Sequence, residues 1–282
     1  MSADLDRETL TNAITETLVA VPGVLAVWEA GSAAFDRLDE YSDLDIGVLA
    51  EPNVNEQIWA RVMELFEQLG GLELSWHEPN PVFKGLDKNT FRFRRASRWL
   101  QLDLGIFTHP ARELYNQPER HGRHRILYDP QGLLTPPPWD EQAHTLALRR
   151  ALHHEILRFA VYHDFFKKEL LREHTIDAFR MYTAFCVHPV ASVLGMLFRP
   201  ERWDYGLRYL HDDLPAEFAE KVERLCFVES PERLEERAAE AHALFWWGVQ
   251  QLADKGIEPL HEESSDIRPG ELGQEIVNTS RR

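Results

Sequence analysis

The sequence has little of what marks several common classes of protein. Only two of its 282 residues are cysteines, so a disulfide-stabilised scaffold is not expected. Cys186 and Cys226 lie in apolar, helix-like stretches, and we interpret both as buried thiols. No run of about 18 apolar residues occurs, so we expect no membrane-spanning helix. The acidic N-terminal residues lack the pattern of a signal peptide, and we therefore expect a cytoplasmic protein.

Positive charge is also scarce. The chain carries 31 Lys and Arg residues against 47 Asp and Glu residues, which gives a formal net charge of −16. Proteins that bind long nucleic acids through their phosphates normally present a basic surface. Polymerase-like binding of duplex DNA is therefore not favoured, whereas the net negative charge is compatible with a small cationic partner.

Two common nucleotide-binding and metal-binding motifs are missing. The sequence has no Gly-x-x-x-x-Gly-Lys-Ser/Thr loop, so a P-loop enzyme is not indicated. Its 13 histidines include His153-His154-Glu155, but this order differs from the His-Glu-x-x-His of zinc hydrolases. No cysteine cluster supports a structural zinc site either. We therefore expect neither a P-loop enzyme nor a zinc protein.

The clearest functional signal lies around two predicted strands near the N-terminus. Gly31-Ser32 follows a strand predicted over residues 24–29, and Ser42-Asp43-Leu44-Asp45 opens the next strand. Side chains alternate between the faces of a strand, so Asp43 and Asp45 should project together, opposite an aliphatic face. Adjacent carboxylates repel each other unless a cation joins them, and such oxygen ligands suit Mg²⁺. A Gly-Ser turn can offer N–H groups and a hydroxyl to phosphate oxygens.

A third carboxylate lies in a later apolar run. Residues 98–107 read RWLQLDLGIF, and alternation places Asp103 opposite a row of aliphatic side chains. Asp103 is therefore the natural third member of a set with Asp43 and Asp45. The alternative interpretation is that all three are solvated carboxylates at strand ends.

The combination of Gly31-Ser32, Ser42-Asp43-Leu44-Asp45 and a later strand aspartate resembles the signature of the DNA polymerase beta-type nucleotidyltransferase superfamily. The small-molecule branch, which includes aminoglycoside nucleotidyltransferases, is the most similar part of it. The resemblance implies that Asp43, Asp45 and Asp103 bind two Mg²⁺ ions and that Asp103 accepts the proton of an attacking hydroxyl. It also implies a set of nucleotide-binding residues, namely Gly31, Ser32, Ser42 and Lys168, with Lys167 as the alternative lysine.

The fold class follows from the change in pattern along the chain. We predict an α+β protein in which a nucleotidyltransferase domain, residues 1–134, has a small mixed sheet flanked by helices. An all-helical acceptor-side domain, residues 135–255, follows, and residues 256–282 form a polar, mobile tail. Strands are predicted at 24–29, 43–49, 72–77, 91–94, 98–107 and 123–128, and helices at 6–20, 55–69, 140–173, 175–198, 201–212, 215–227 and 230–255.

The resemblance implies a reaction as well as a fold. AMP would pass from ATP to a hydroxyl of a small acceptor, such as a cationic aminoglycoside, and pyrophosphate would leave. Glu155, Asp164 and Glu169 are candidate carboxylates for binding such an acceptor. Lys168 has a plain alternative role, because Asp164 and Lys168 are four apart and could pair along one helix face. Two other functions stay open: a transferase that modifies tRNA or a protein, and a nucleotide-binding module without turnover.

Overall fold

A computed structural model describes residues 5–79, 85–108 and 117–260 of the chain. The chain divides into two compact units, with the division between Trp139 and Asp140. Three consecutive prolines, residues 136–138, come just before this point. The first unit contains a β-sheet and the second unit is helical, so the predicted α+β class is confirmed.

The first unit is built on a six-stranded mixed sheet. The strand order is β3-β4-β5-β2-β1-β6, and the pairing of β2 with β5 is parallel, whereas the other four pairings are antiparallel. The strands are β1 Val24–Glu29, β2 Leu44–Ala50, β3 Leu72–His77, β4 Leu86–Phe93, β5 Gln101–Thr108 and β6 Arg125–Tyr128. The helices of this unit are α1 Arg7–Val19, α2 Asn55–Gln68 and the single turn α3 Pro118–His121.

The alternation in β2 and β5 sorts their side chains as predicted. Leu44, Ile46 and Val48 of β2 are buried on one face, together with the leucines and isoleucine of β5. Helices α1 and α2 cover this face with their own apolar side chains. The opposite face has a smaller apolar cluster that includes Trp28 and Leu49. The aspartates of β2 and β5 therefore lie on the face that the two helices do not cover.

Strand β4 begins earlier than the sequence indicates. The apolar pattern predicts a strand only from residue 91, but β4 extends from Leu86 to Phe93. Its first residues, LDKNT, lack apolar alternation and read as a loop. They are ordered because β4 lies between β3 and β5 and pairs with both through its backbone. This extension adds Lys88 and Thr90 to the sheet.

The second unit is a bundle of helices around one apolar core. Its helices are α4 Glu141–Tyr162, α5 Phe165–Leu171, α6 Thr175–Tyr182, α7 His188–Phe198, α8 Leu210–Asp213, α9 Ala216–Cys226 and α10 Leu234–Asp254. A π-helical turn, Thr183–Val187, joins α6 to α7. The helix predicted over 140–173 is interrupted between α4 and α5. The helix predicted over 201–212 is a 3₁₀ turn, Pro200–Tyr205, followed by the short α8.

The continuous segment Thr175–Phe198 is the one helix of the described chain that is long and apolar enough to cross a membrane. Most of it is buried within the protein, as expected of a core helix. Both cysteines are free thiols; Cys186 is buried as predicted, whereas Cys226 is only partly buried. Most of the predicted mobile tail lies outside the described residues. At its start, Leu260 N–H donates to the carbonyl of Arg149, whose Nε donates to Glu258.

Candidate active site

The turn after β1 brings a glycine backbone against one of the predicted carboxylates. The Ala30 N–H donates to the carbonyl oxygen of Asp45 at 2.9 Å, and residues Gly31–Phe35 then form a short 3₁₀ helix. Gly31 has φ of +59°, and a Cβ at this position would overlap the carboxylate of Asp45. Glycine is therefore required here by the backbone conformation and by the close approach of a charged group.

Asp45 and Asp103 lie directly opposite each other on neighbouring parallel strands. The register pairs Leu44 with Leu102 and Asp45 with Asp103. Both strands bury their leucines in the same core, so the two carboxylates project from the same face. The structure thus brings together two of the three predicted acidic residues, which are 58 positions apart in the sequence.

Asp103 is held by two side chains of β4. Thr90 donates its hydroxyl to Oδ1 of Asp103 at 2.5 Å, and Lys88 Nζ lies 2.5 Å from Oδ2. The side chain of Asp103 is 17% exposed and that of Lys88 is 31% exposed. Sequence reasoning missed Lys88 and Thr90 because it began this strand only at residue 91. The signal that could have found them is the alternation of Lys88, Thr90 and Arg92 before the apolar end of the strand.

Asp45 is buried among charges of its own sign. The pKa of Asp45 is raised to about 7. Burial is the largest cause, and the negative charges of Asp43 and Asp103 also raise this pKa. Lys88 and Arg7 act in the opposite direction. Asp43 therefore lies within electrostatic range of Asp45.

The backbone around Asp43 is held by an arginine that the sequence did not single out. Nη1 of Arg7 donates to the carbonyl oxygens of Ser42 and Asp43, at 3.2 and 2.7 Å. The same guanidinium binds Oε1 of Glu29 through Nε and Nη2. Glu29 has no exposed surface, and Arg125 binds its other oxygen at 3.2 Å. Arg7 therefore links α1, the end of β1 and the start of β2 beside the aspartates.

The two predicted serines occupy different turns. Ser32 is the second residue of the 3₁₀ helix that follows β1. Ser42 donates its hydroxyl to Asp39 at 2.7 Å and accepts the Asp39 N–H at 3.0 Å. The Ser42 side chain thus stabilises the turn that leads into Asp43. Contacts of either serine with a nucleotide stay predictions.

The three aspartates supply the kind of oxygen donor that a divalent cation needs. Asp45 lies close to both other carboxylates, and such oxygen donors are the ligands that Mg²⁺ prefers. In the described part of the chain, no group of three His, Cys, Asp or Glu side chains is already arranged to hold a metal ion. In this arrangement Thr90 and Lys88 contact the two oxygens of Asp103.

The predicted phosphate-binding lysine belongs to the second unit. Lys168 is in α5, and its ammonium lies 3.5 Å from the centre of the Phe165 ring. The expected pairing of Asp164 with Lys168 is replaced by a pairing of Asp164 with Lys167, at 2.6 Å. Lys168 is thus not held by that ion pair, and its role towards a nucleotide stays a prediction.

Comparisons with known proteins gave distant structural similarities. No known family profile and no curated protein matches this chain. An aminoglycoside 6-adenyltransferase from Bacillus subtilis is similar in structure, with 13% identity, 98% of each chain covered and a TM-score of 0.38. A nucleotidyltransferase-like protein from Exiguobacterium sibiricum is similar at 12% identity, with 88% of this chain and 78% of that chain covered and a TM-score of 0.38. Similarities this distant carry no conclusion about activity.

Proposed function

We propose that this protein is a Mg²⁺-dependent nucleotidyltransferase that transfers AMP from ATP to a hydroxyl group of a small acceptor. The observation that carries the proposal is the register of β2 and β5, which sets Asp45 opposite Asp103. The carboxylate of Asp45 also lies against the backbone of Gly31, in the turn proposed to bind phosphate. Asp43, two residues before Asp45, completes the acidic set.

The proposed reaction is a displacement at the α-phosphorus of the nucleotide. The acceptor oxygen forms a bond to phosphorus, the bond from phosphorus to the bridging oxygen breaks, and pyrophosphate leaves. Magnesium held by Asp43, Asp45 and Asp103 would supply positive charge to the phosphate oxygens. The proton of the acceptor hydroxyl passes to the carboxylate of Asp103, which Thr90 orients through Oδ1.

The remaining charge of the triphosphate needs donors from this chain. Backbone N–H groups of the Gly31-Ser32 turn and the Ser32 hydroxyl are proposed to bind the outer phosphates. Ser42 is a further proposed partner through its hydroxyl. Each of these groups orients the leaving pyrophosphate and has no part in the proton transfer.

A cationic acceptor is the best match to the acidic second unit. Among the three candidate carboxylates, Glu169 is paired with Arg172 and His174, and Asp164 with Lys167. Glu155 forms the longest of these ion pairs, because its buried Oε2 lies 3.8 Å from Nη1 of Arg158 and accepts no hydrogen bond. Burial raises the pKa of Glu155, although Arg158 acts against this. Glu155 is therefore the carboxylate that we propose for binding an amino group of the acceptor.

The experiment is an assay of pyrophosphate release from ATP with a panel of aminoglycosides, with and without Mg²⁺. Wild-type protein should release pyrophosphate only with Mg²⁺ and a suitable acceptor. Asp45→Asn should lower turnover at least roughly a hundredfold, because it removes a central charge of the metal site. Its melting temperature should stay within a few degrees, since the change also relieves repulsion with Asp43 and Asp103.

Asp36→Asn is the matched control. Asp36 lies in the same connection between β1 and β2, is exposed and has φ of +54°, a conformation that asparagine tolerates. This variant should keep wild-type turnover. Wild-type turnover in Asp45→Asn would contradict the proposal. Transfer of labelled AMP to RNA or protein, and not to aminoglycosides, would replace the small acceptor by a macromolecule. Mg²⁺-independent nucleotide binding without transfer would indicate a non-catalytic module.

A further inference from the structure

Lys88 has a position that the proposed reaction leaves unexplained. Its ammonium contacts Oδ2 of Asp103 at 2.5 Å and lies within electrostatic range of Asp45. The ammonium is thus beside the two carboxylates that would bind a divalent cation. The side chain of Lys88 is 31% exposed and that of Asp103 is 17% exposed. Solvent therefore screens this ion pair less than an ordinary surface pair.

The register of β4 on β5 explains how Lys88 reaches this position. Thr90 lies opposite Asp103, and Lys88 lies opposite Gly105, one step further along the same face. From this position the lysine stem extends diagonally across β5, and its ammonium reaches the carboxylate of Asp103. Thr90 and Lys88 together contact both oxygens of the Asp103 carboxylate.

We propose that Lys88 is an internal counterion of the metal site, which a divalent cation must displace from Asp103 in order to bind. This proposal deepens the proposed function, because it concerns the same carboxylates. The ammonium neutralises Asp103 in the metal-free protein and lowers the repulsion between Asp103 and Asp45. It therefore competes with the metal, and its removal strengthens metal binding while the liganding oxygens stay unchanged.

The test is Mn²⁺ binding, measured by electron paramagnetic resonance at pH 8 in the absence of nucleotide. Lys88→Met keeps the length of the stem and removes the charge. We expect this variant to bind Mn²⁺ roughly tenfold more tightly than wild type, because a like charge next to the ion is gone. A merely structural role of Lys88 would give weaker binding or no change.

Arg92→Met is the matched control for a general effect of charge. Arg92 lies on the same face of β4, has a similarly exposed side chain (36%) and pairs with Glu73 instead of Asp103. This variant should bind Mn²⁺ within about twofold of wild type. An equal gain in Arg92→Met, an unchanged or weakened affinity in Lys88→Met, or no Mn²⁺ binding in either wild type or Lys88→Met would overturn the proposal.

A measurement on the wild-type protein keeps the proposal testable if Lys88→Met does not fold. Lysine acetylation followed by mass spectrometry reports how accessible each ammonium is. Acetylation of Lys88 should be slow without metal and several-fold faster with saturating Mn²⁺, while the exposed Lys255 should not change. A Lys88 rate that does not rise with Mn²⁺ would contradict displacement.

The metal and transfer experiments have separate outcomes. Mn²⁺ binding that gains strength in Lys88→Met, without nucleotidyl transfer by the wild type, would support the counterion and reject the proposed function. Nucleotidyl transfer by the wild type, without tighter Mn²⁺ binding in Lys88→Met, would support the proposed function and reject the counterion.

Discussion

At the scale of single residues, the site depends on a position where no side chain fits. Gly31 lies so close to Asp45 that any Cβ would overlap the carboxylate, and its φ of +59° is unfavourable for other residues. The conformation and the contact are separate constraints. Gly132 has a positive φ but no such contact, so a comparison of the two glycines separates the two constraints by experiment.

Gly31→Ala should displace the Asp45 carboxylate and lower turnover at least roughly a hundredfold. Gly132→Ala is the control, since Gly132 has φ of +66° but open space where a Cβ would be. The control should lose about 1 kcal/mol of unfolding free energy, from backbone strain alone, and keep its activity. Pyrophosphate release and urea unfolding measure the two quantities. Equal activities in the two variants would show that contact with Asp45 is unimportant.

At the scale of elements, one buried carboxylate connects α1 with the ends of β1 and β2. Glu29 has no exposed surface and is neutralised by Arg7 and Arg125. The two arginines differ in environment. The Arg7 side chain is 23% exposed and also binds two backbone carbonyls, whereas that of Arg125 is 60% exposed. Their contributions to stability should therefore be unequal.

Arg7→Ala should lower the free energy of unfolding by about 3 kcal/mol, because it leaves a buried charge with one partly solvated partner. Arg125→Ala removes the other partner and should cost about 1 kcal/mol or less, as for an exposed ion pair. Urea unfolding of both variants tests this order. Adding Glu29→Gln to Arg7→Ala should recover part of the loss, since the unpaired charge is then absent. Equal losses in the two single variants would contradict this account.

The elements also show where sequence patterns hold and where they fail. Strands β2 and β5 were predictable because each alternates aspartate or glycine with aliphatic residues, and burial of the aliphatic face needs no knowledge of partners. The first half of β4 was not, because residues LDKNT have no apolar alternation. Their strand conformation comes from backbone pairing with both neighbours, which is a property of the assembled sheet.

At the scale of the whole molecule, the strongest pH effect on stability outside the acidic site should come from His124. Its ring stacks on Trp28, with centroids 6.1 Å apart, and burial lowers the pKa of His124 to about 4, helped by the nearby His121. The unfolded chain, with an ordinary histidine pKa of about 6.5, binds this proton more readily. Stability from the neutral ring is thus complete above pH 6.5 and is lost as the pH falls towards 4.

His124→Gln should reduce the fall in unfolding free energy between pH 7 and pH 4.5 by about 2 kcal/mol. Urea unfolding at a series of pH values gives the comparison with wild type. His211→Gln, at an exposed position of the second unit, should leave the pH dependence unchanged. An unchanged slope in His124→Gln would mean that the pKa of His124 is the same in the folded and the unfolded chain.

The sequence by itself determined the α+β class, the strands that carry the aspartates and the face on which those aspartates lie. These features depend on the local alternation of polar and apolar residues and on burial of the apolar side chains, and this alternation is visible in the order of residues. The tertiary structure alone decided which groups surround the aspartates: the glycine backbone at Asp45, the lysine and threonine at Asp103, and the arginine behind Asp43. The lysine and threonine come from a segment with no apolar period of its own, and the positions of all these partners depend on strand register and on charge neutralisation across distant parts of the chain.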